Sequence, residues 1–222
     1  MKIWVYIDGF NLYNGAVKNT DYKWLDLLKL SQHLRPSDSI ERIKYFTAKL
    51  DTRSTDTGQP FRQMIYWRAL ETLGLVEIIK GKFLTKPVYL PEAASVDELN
   101  TLKSQGANTA GMRPNMVKVY RSEEKGTDVN LAVHMVHDAH LAKFDAALVL
   151  SNDSDLVEAV RIVVKEIGKP VFIYTPHAKF PSAQLKSVAT SFFDIRTIHL
   201  SSSLFPNTLT DVRGTFSKTS AW

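Results

Sequence analysis

The segment that most constrains the fold is the run at the N-terminus that extends from Ile3 to Ile7. Every side chain in this run is aliphatic or aromatic, and the run ends abruptly at Asp8-Gly9. This pattern is typical of a central parallel strand, which is buried on both faces and opens at its carboxyl end into a turn. The N-terminus therefore predicts a strand in the middle of a covered sheet.

Further apolar runs alternate with helical spacings along the chain. We predict strands at residues 40–50, 75–79, 117–120, 145–150 and 171–175, and helices at residues 24–34, 61–73, 126–140 and 156–167. Strands that alternate with helices predict an α/β fold with a mostly parallel central sheet.

Two segments lack this regularity. Residues 84–116 contain several prolines and glycines, and we predict that they form an irregular insertion or mobile flap. Residues 200–222 are rich in Ser and Thr and show little periodicity, which indicates a flexible tail. The remaining chain is then one domain over residues 1–199.

Composition excludes several classes of protein. The chain has no cysteine, so disulfides, thiolate metal sites and cysteine nucleophiles are excluded, and the composition fits a reducing cytoplasm. We expect a cytoplasmic protein without a membrane partner, because no apolar run is long enough to span a bilayer and the N-terminus lacks the pattern of a secretory signal. Lys and Arg number 28 against 23 Asp and Glu, a net charge of +5 that permits a polyanionic partner.

Four carboxylates stand beside predicted strand ends or at a predicted helix start: Asp8, Asp128, Asp153 and Asp155. Each alone has an ordinary structural explanation as a turn residue or a helix cap. Ligands of open parallel sheets, however, collect beyond the carboxyl ends of the strands. Carboxylates gathered there would repel one another unless a hard cation such as Mg²⁺ or Mn²⁺ neutralised them. The pattern predicts a metal site suited to phosphodiester hydrolysis by water.

Other catalytic patterns have no support in the sequence. The chain lacks the dinucleotide-binding and P-loop fingerprints. Ser151 is not part of a nucleophile elbow. The three histidines His134, His137 and His140 are spread around their predicted helix, which favours a solvated flank over a zinc site.

Three blocks of the sequence together resemble a known family. They read Tyr-Ile-Asp-Gly-Phe-Asn-Leu at residues 6–12, Glu-Lys-Gly-Thr-Asp-Val-Asn-Leu-Ala at 124–132 and Leu-Ser-Asn-Asp-Ser-Asp-Leu at 150–156. In this order they resemble the signature blocks of the NYN domain family, which includes the bacterial LabA-like (DUF88) proteins and belongs to the PIN-like nuclease superfamily. The resemblance extends over about residues 2–198.

The resemblance implies a three-layer α/β/α PIN-like (Rossmann-like) fold and a metal-dependent ribonuclease. The family's acidic quartet falls on the four aspartates named above, as catalytic groups and as ligands of Mg²⁺ or Mn²⁺. Asn11 would orient water or contact the substrate, and Ser151 matches the small hydroxyl residue that begins the third block. Many LabA-like relatives carry Cys-x-x-Cys-like elements before the second block, so the absence of cysteine from residues 84–116 excludes a zinc-stabilised insert. PIN-like relatives often dimerise, so a homodimer is also an expectation.

Basic residues flank the predicted acidic site in two stretches. Residues 42–68 carry a local positive surplus, and within them Arg62 and Tyr66 lie one helical turn apart, where they could hold a phosphate and stack on a base. The second stretch ends at Lys125 and consists of Arg113, Lys118, Arg121 and Lys125. Either stretch could instead be an ordinary solvated face, and the aromatic residues could belong to the core. We expect single-stranded RNA as the partner, since unstacked bases can be gripped by such surfaces.

Two rival functions remain open. A non-catalytic PIN-like module could bind RNA or a regulatory partner, although an intact quartet argues against a decayed site. A magnesium-dependent phosphotransfer enzyme would usually carry Asp-x-Asp after the first strand, whereas Gly9-Phe10 follows Asp8.

Overall fold

The computed structural model describes residues 1–50 and 56–220. Seven strands form one sheet in the order β4-β3-β2-β1-β5-β6-β7, and two further strands form a separate hairpin. The strands are β1 (Lys2–Asp8), β2 (Ser39–Ala48), β3 (Val76–Pro91), β4 (Met116–Lys125), β5 (Ala146–Leu150), β6 (Val171–Thr175), β7 (Ser191–Asp194), β8 (Thr208–Asp211) and β9 (Gly214–Ser217).

Eight α-helices connect or cover these strands in the described ranges: α1 (Gly9–Leu12), α2 (Leu27–Leu34), α3 (Gln59–Glu71), α4 (Ala93–Ser104), α5 (Thr127–His140), α6 (Val157–Arg161), α7 (Ala183–Val188) and α8 (Thr197–Ser201). A π-helical turn, Tyr13–Val17, continues α1. A 3₁₀ turn, Ser154–Leu156, precedes α6, and a second π-helical turn, Ile162–Glu166, follows it. Among the described residues no helix is both long enough and apolar enough to cross a membrane.

The alternation of side chains in β1 divides the core into two layers. Ile3, Val5 and Ile7 pack on one face with residues of α2, α3 and α8. Tyr6 packs on the other face with residues of α5, α6 and α7. Because successive side chains of a strand point to opposite faces, a strand that is apolar at every position needs helices on both sides. The predicted three-layer α/β/α architecture is therefore confirmed.

The order of the strands places the candidate site. Strand β1 pairs in parallel with β2 on one side and with β5 on the other. The chain thus builds outward from β1 in both directions, and a crevice forms beyond the carboxyl ends of the strands where this reversal occurs. Ile7 is paired with Leu150, so the residues that follow β1 and β5 leave the sheet side by side.

Residues 83–124 form a compact unit of their own, and the rest of the chain forms the other. The expectation of an irregular segment at residues 84–116 is wrong, because this stretch contains the end of β3, all of α4 and the start of β4. The pairing of β3 with β2 ends at Gly81. Pro87 lies beyond this point, so its lack of an N–H costs no hydrogen bond to β2. The glycines of the stretch, Gly106 and Gly111, adopt positive φ in the connection between α4 and β4.

The expectation of a flexible tail is also wrong for residues 200–220. Strands β8 and β9 form a hairpin. Its Phe216 is 8% exposed and belongs to the core layer that contains Ile3, Val5 and Ile7. Arg68 of α3 holds the hairpin through two hydrogen bonds to Asp211, at 2.8 and 2.7 Å, and its guanidinium lies 4.1 Å from the centre of the Phe216 ring. The indole nitrogen of Trp24 donates to the Pro206 carbonyl at 2.7 Å. A few well-placed contacts thus fix a segment that has little apolar periodicity.

We expect Phe216→Ala to lower the free energy of unfolding by about 3 kcal/mol, because it removes a buried aromatic ring and leaves a cavity beneath the hairpin. Chemical denaturation followed by circular dichroism measures the loss. Val212→Ala, at the fully exposed tip of the same hairpin, is the matched control and should change little. Equal stability of the two variants would show that the hairpin does not contribute to the core.

Candidate metal centre

Three of the four predicted aspartates come together at the crevice. Asp8 ends β1, Asp128 lies in the first turn of α5, and Asp153 follows β5. One carboxylate oxygen from each lies within 4.8 Å of the others. Asp8 is buried, at 4% exposure, whereas the other two are half-buried and remain open to solvent. Such a cluster has room for a ligand on its outer side.

The carboxylate of Asp8 is fixed by two hydrogen bonds. Its Oδ1 accepts from the backbone N–H of Asn11 at 2.9 Å, so that Asp8 caps the N-terminus of α1. Its Oδ2 accepts from the Ser151 hydroxyl at 3.0 Å. That hydroxyl in turn accepts from the backbone N–H of Asp153 at 3.1 Å. The predicted site residue Ser151 therefore positions two of the three carboxylates.

Asn11 joins the ends of the two central strands. Its side-chain Oδ1 accepts from the backbone N–H of Asn152 at 3.0 Å. Asn152, which the sequence analysis did not identify, uses its own amide on the loop at residues 176–182, donating to the Phe180 carbonyl and accepting from the Ser182 N–H. The only sequence signal for a role of Asn152 at the site is its position between the predicted site residues Ser151 and Asp153.

Gly9 is required by the close approach of β2. A Cβ at this position would lie 2.7 Å from the Tyr45 ring and 2.8 Å from the Phe46 carbonyl oxygen, distances that real side chains do not tolerate. Burial, and then the nearby charge of Asp8, raises the pKa of Tyr45. The Asp-Gly pair thus lets the chain turn away from β1 directly against β2.

The cluster is electrostatically unfavourable without a cation. Burial raises the pKa of Asp8 to about 6, the charges of Asp128 and Asp153 add to this rise, and the two hydrogen bonds only partly oppose it. The pKa of Asp128 is also raised, by burial and then by Asp153 and Asp155. A donor set made only of carboxylate oxygens fits a hard divalent cation such as Mg²⁺ or Mn²⁺. These residues therefore fit the metal ion that the sequence predicts.

Asp155 is outside the group of three. It is exposed, and its backbone N–H donates to Asp153 Oδ1 at 2.9 Å, so its backbone helps to orient a cluster carboxylate. Its side chain contributes negative charge nearby, as the raised pKa of Asp128 shows. The predicted quartet is thus a cluster of three with a fourth carboxylate at its rim.

The predicted base-stacking role of Tyr66 has no support in the structure. Its hydroxyl donates to the Leu25 carbonyl at 2.8 Å, and its ring packs 6.3 Å from the rings of Trp24 and Tyr45, measured between centroids. The ring is therefore part of the core layer. Arg62, one turn earlier on α3, forms an ion pair with Asp56.

The basic stretch at 42–68 is largely engaged within the protein. Lys44 is buried, and its Nζ lies 2.5 Å from Asp138 Oδ2 and 3.1 Å from His134 Nδ1. Arg68 holds the C-terminal hairpin as described above. Arg53 and Asp51, which belong to the same stretch, lie outside the described residues. His134 also departs from the expected solvated flank, since its ring faces Lys44.

The second basic stretch lies mostly in the unit of residues 83–124. Its Arg113, Lys118 and Arg121 are exposed, and Arg121 forms an ion pair with Glu123. Lys125 is exposed at the end of β4, directly before Gly126, whose φ of 93° allows the sharp turn into α5 and Asp128.

A cavity of about 410 Å³ begins at the residues that follow Asp8. Its wall includes five aromatic residues, Phe10, Tyr13, Tyr45, Tyr66 and Trp67, and the charged residues Lys18, Lys23, Arg62 and Asp56, of which the last two form an ion pair. Its volume is in the range of sites for single small molecules.

Comparison with known proteins gives a family, one curated relative and a structural neighbour. The family model described as NYN domain matches residues 2–196. The chain is 30% identical over 178 residues to the 6-hydroxy-3-succinoylpyridine 3-monooxygenase HspA of Pseudomonas putida (strain DSM 28022 / S16). The match covers 72% of this chain and 54% of that protein, so the chain spans about half the length of this curated relative.

The structural neighbour is a crystal structure of a protein of unknown function from Vibrio parahaemolyticus RIMD 2210633. It superimposes with a TM-score of 0.55 and 18% sequence identity, and the alignment covers 92% of this chain and 96% of that one. This likeness supports the fold.

We expect Asp8→Asn to stabilise the metal-free protein at pH 7.5 by about 3 kcal/mol. A carboxyl pKa raised from 3.8 to about 6 means that the folded state binds the proton more tightly than the unfolded chain. The folded state therefore loses stability as pH rises from about 4 to about 6, and the neutral amide avoids that loss. Denaturant unfolding between pH 4 and 7.5 in the presence of chelator measures the difference, which should vanish near pH 4.

The control for this prediction is Asp21→Asn, which neutralises an exposed carboxylate outside the cluster and should change stability little at either pH. Added Mn²⁺ should raise the melting temperature of the wild type and of the control, and much less that of Asp8→Asn. A variant at position 8 that is less stable than the wild type at pH 7.5 without metal would contradict the electrostatic cost assigned to Asp8.

Proposed function

The chain belongs to the NYN domain family, and we propose that it is a metal-dependent ribonuclease that hydrolyses phosphodiester bonds of single-stranded RNA. The observation that carries this proposal is the convergence of Asp8, Asp128 and Asp153 at the carboxyl ends of the central parallel strands. Ligands of such sheets bind at this position. The proposal also agrees with what the sequence resemblance implies.

Asp8, Asp128 and Asp153 would hold Mg²⁺ or Mn²⁺, and the rim carboxylate of Asp155 would add negative charge. A divalent ion bound there would lower the pKa of a water molecule and neutralise charge that builds on the phosphate. The carboxylates of Asp128 and Asp153 are half-buried, which leaves the substrate side of the cluster accessible.

The residues around the carboxylates act by positioning. The Ser151 hydroxyl donates its proton to Asp8 and accepts from the Asp153 N–H, so it is engaged in orienting ligands instead of attacking the phosphate. Asn11 holds the backbone after β5 through its side-chain oxygen, which keeps the two strand ends at a fixed separation. Hydrolysis by this site requires no side-chain nucleophile, because water is the attacking group.

We expect Asp153→Asn to reduce metal-dependent cleavage of labelled single-stranded RNA at least about 100-fold, since it removes one charged ligand of the ion. Asp155→Asn is the matched control. It neutralises a carboxylate two residues away but keeps the backbone N–H that bonds Asp153, so we expect only a few-fold loss. Cleavage is followed on denaturing gels with Mn²⁺, with Mg²⁺ and with chelator.

The outcomes of this assay separate the proposal from its rival. RNA binding without cleavage under all metal conditions would favour the non-catalytic module. Cleavage that persists unchanged in both Asp8→Asn and Asp153→Asn would contradict the site assignment, provided that circular dichroism shows both variants to be folded.

The curated relative and the cavity together favour a second candidate, the oxygenation of a small nitrogen heterocycle. The relative is named as a monooxygenase that acts on 6-hydroxy-3-succinoylpyridine. The cavity beside Gly9 and Phe10 has aromatic walls for a ring, and Lys18 and Lys23 could attract a carboxylate. A monooxygenase also needs dioxygen and an external reductant, which this candidate would have to recruit.

Incubation of the protein with 6-hydroxy-3-succinoylpyridine, dioxygen and a reduced nicotinamide or flavin tests the second candidate. If the protein is a ribonuclease alone, we expect no loss of the pyridine by liquid chromatography and no oxidation of the reductant above a protein-free blank. Turnover of the pyridine that survives Asp153→Asn and is lost when the cavity is filled by Thr47→Trp would favour the oxygenase instead.

A further inference from the structure

The loop at residues 176–182, between β6 and α7, is joined to the metal centre by a chain of hydrogen bonds. Asn152 donates from its side-chain amide to the Phe180 carbonyl at 2.9 Å and accepts from the Ser182 N–H at 2.8 Å. The backbone of Asn152 is held by Asn11, whose own backbone N–H bonds Asp8. The loop therefore has a defined position relative to the carboxylate cluster.

Further contacts hold the backbone of this loop. The backbone N–H of His177 donates to the Thr175 hydroxyl at 3.1 Å, and the Phe180 N–H donates to the His177 carbonyl at 3.0 Å. The imidazole of His177 packs so closely on Gly15 that a Cβ there would lie 2.6 Å from the ring. Prolines at 176 and 181 restrict the backbone at both ends.

This loop presents Phe180 to solvent. The side chain is 80% exposed, which makes it the most exposed phenylalanine of the described chain. A ring in this position contributes almost nothing to the core, since the stabilisation from burying apolar area is not realised. Lys179 beside it is also exposed and supplies a positive charge. The loop thus carries an exposed aromatic ring and a cation, and its backbone is hydrogen-bonded to the residue that precedes Asp153.

We propose that Phe180 stacks on a base of single-stranded RNA and so positions the strand across Asp8, Asp128 and Asp153; this inference rests on the proposed ribonuclease function. Single-stranded nucleic acid is commonly held by an aromatic ring that stacks on a base and by cations that contact the backbone. Stacking tolerates any base, because every base has a π-face. Phe180 therefore contributes affinity and placement with little sequence preference.

Both ends of the Asn152 side-chain amide bond the backbone of the loop that carries Phe180. Productive hydrolysis requires the scissile phosphate to be held against the carboxylates within a narrow range of positions. A stacking ring on a mobile loop would bind RNA without fixing that position. The hydrogen bonds through Asn152 and Asn11 link the backbone of Phe180 to the buried Asp8 instead.

Binding of a fluorescently labelled single-stranded oligoribonucleotide in chelator, where no cleavage occurs, tests this proposal. We expect Phe180→Ala to weaken binding about tenfold, as loss of one aromatic stacking contact typically does, and Phe180→Trp to restore it. Phe61→Ala is the matched control, because it removes another exposed phenylalanine, 55% exposed on α3, and should leave binding unchanged. Thermal melting should be the same for all three variants.

The same variants are then assayed with Mn²⁺. Phe180→Ala should raise KM about tenfold and also lower kcat, because a strand without the stacking contact is held less precisely against the carboxylates, while Asp153→Asn should lower cleavage at least about 100-fold. Equal RNA binding by Phe180→Ala and wild type would overturn the stacking role and leave the ribonuclease proposal standing. RNA binding that depends on Phe180 without cleavage by any form would support the stacking role and overturn the ribonuclease. Absence of RNA binding by the wild type would overturn the stacking role as well.

Discussion

The buried carboxylate of Asp8 is the constraint on which the rest of the site depends. It ends the central strand, where the parallel strands on its two sides leave the sheet in the same direction. Two hydrogen bonds hold it, yet its pKa remains raised to about 6, because burial and two neighbouring carboxylates outweigh them. A fold that needed only a strand terminator would gain stability from a neutral residue here. The charged cluster is therefore one that a divalent cation could stabilise, and a cost in stability of this kind is common at functional sites.

The convergence of these acids could be predicted from the sequence because it follows from backbone rules. Parallel strands place their carboxyl ends at one side of the sheet, and Asp8 and Asp153 each follow an apolar run of strand length. The failure at Tyr66 has the opposite origin. Helical spacing shows that Arg62 and Tyr66 share a face of α3, but the direction of that face depends on contacts with Leu25 and Tyr45, which are distant in sequence. Helical periodicity predicts which residues share a face of the helix. It does not predict whether that face is exposed to solvent or packed against the core.

The sequence-based predictions were wrong for residues 84–116 and 200–220. The structure of both segments depends on tertiary contacts instead of on local sequence patterns. The C-terminal hairpin is held by Arg68, whose guanidinium bonds Asp211, 143 positions away, and covers Phe216. Neither partner belongs to an apolar pattern, so no local signal reveals the packing. At residues 84–116 the prolines predict breaks in secondary structure, but the pairing of β3 with β2 ends at Gly81, so β3 can carry Pro87 without losing a hydrogen bond to β2. Amino-acid composition indicates only the local preference for secondary structure, and in these two segments tertiary contacts determine the structure that forms.

The three residues after β5 connect the carboxylate cluster with the loop at 176–182. The side chain of Ser151 turns back to Asp8, that of Asn152 reaches the loop at 176–182, and that of Asp153 joins the carboxylate cluster and caps the following turn. Because the three are consecutive, the strand fixes their relative positions without help from a flexible linker. Displacing Asn152 would therefore disturb the loop that presents Phe180 and the strand end that carries Asp153 together. The carboxylate cluster and the loop at 176–182 are thus coupled through the backbone of these three residues.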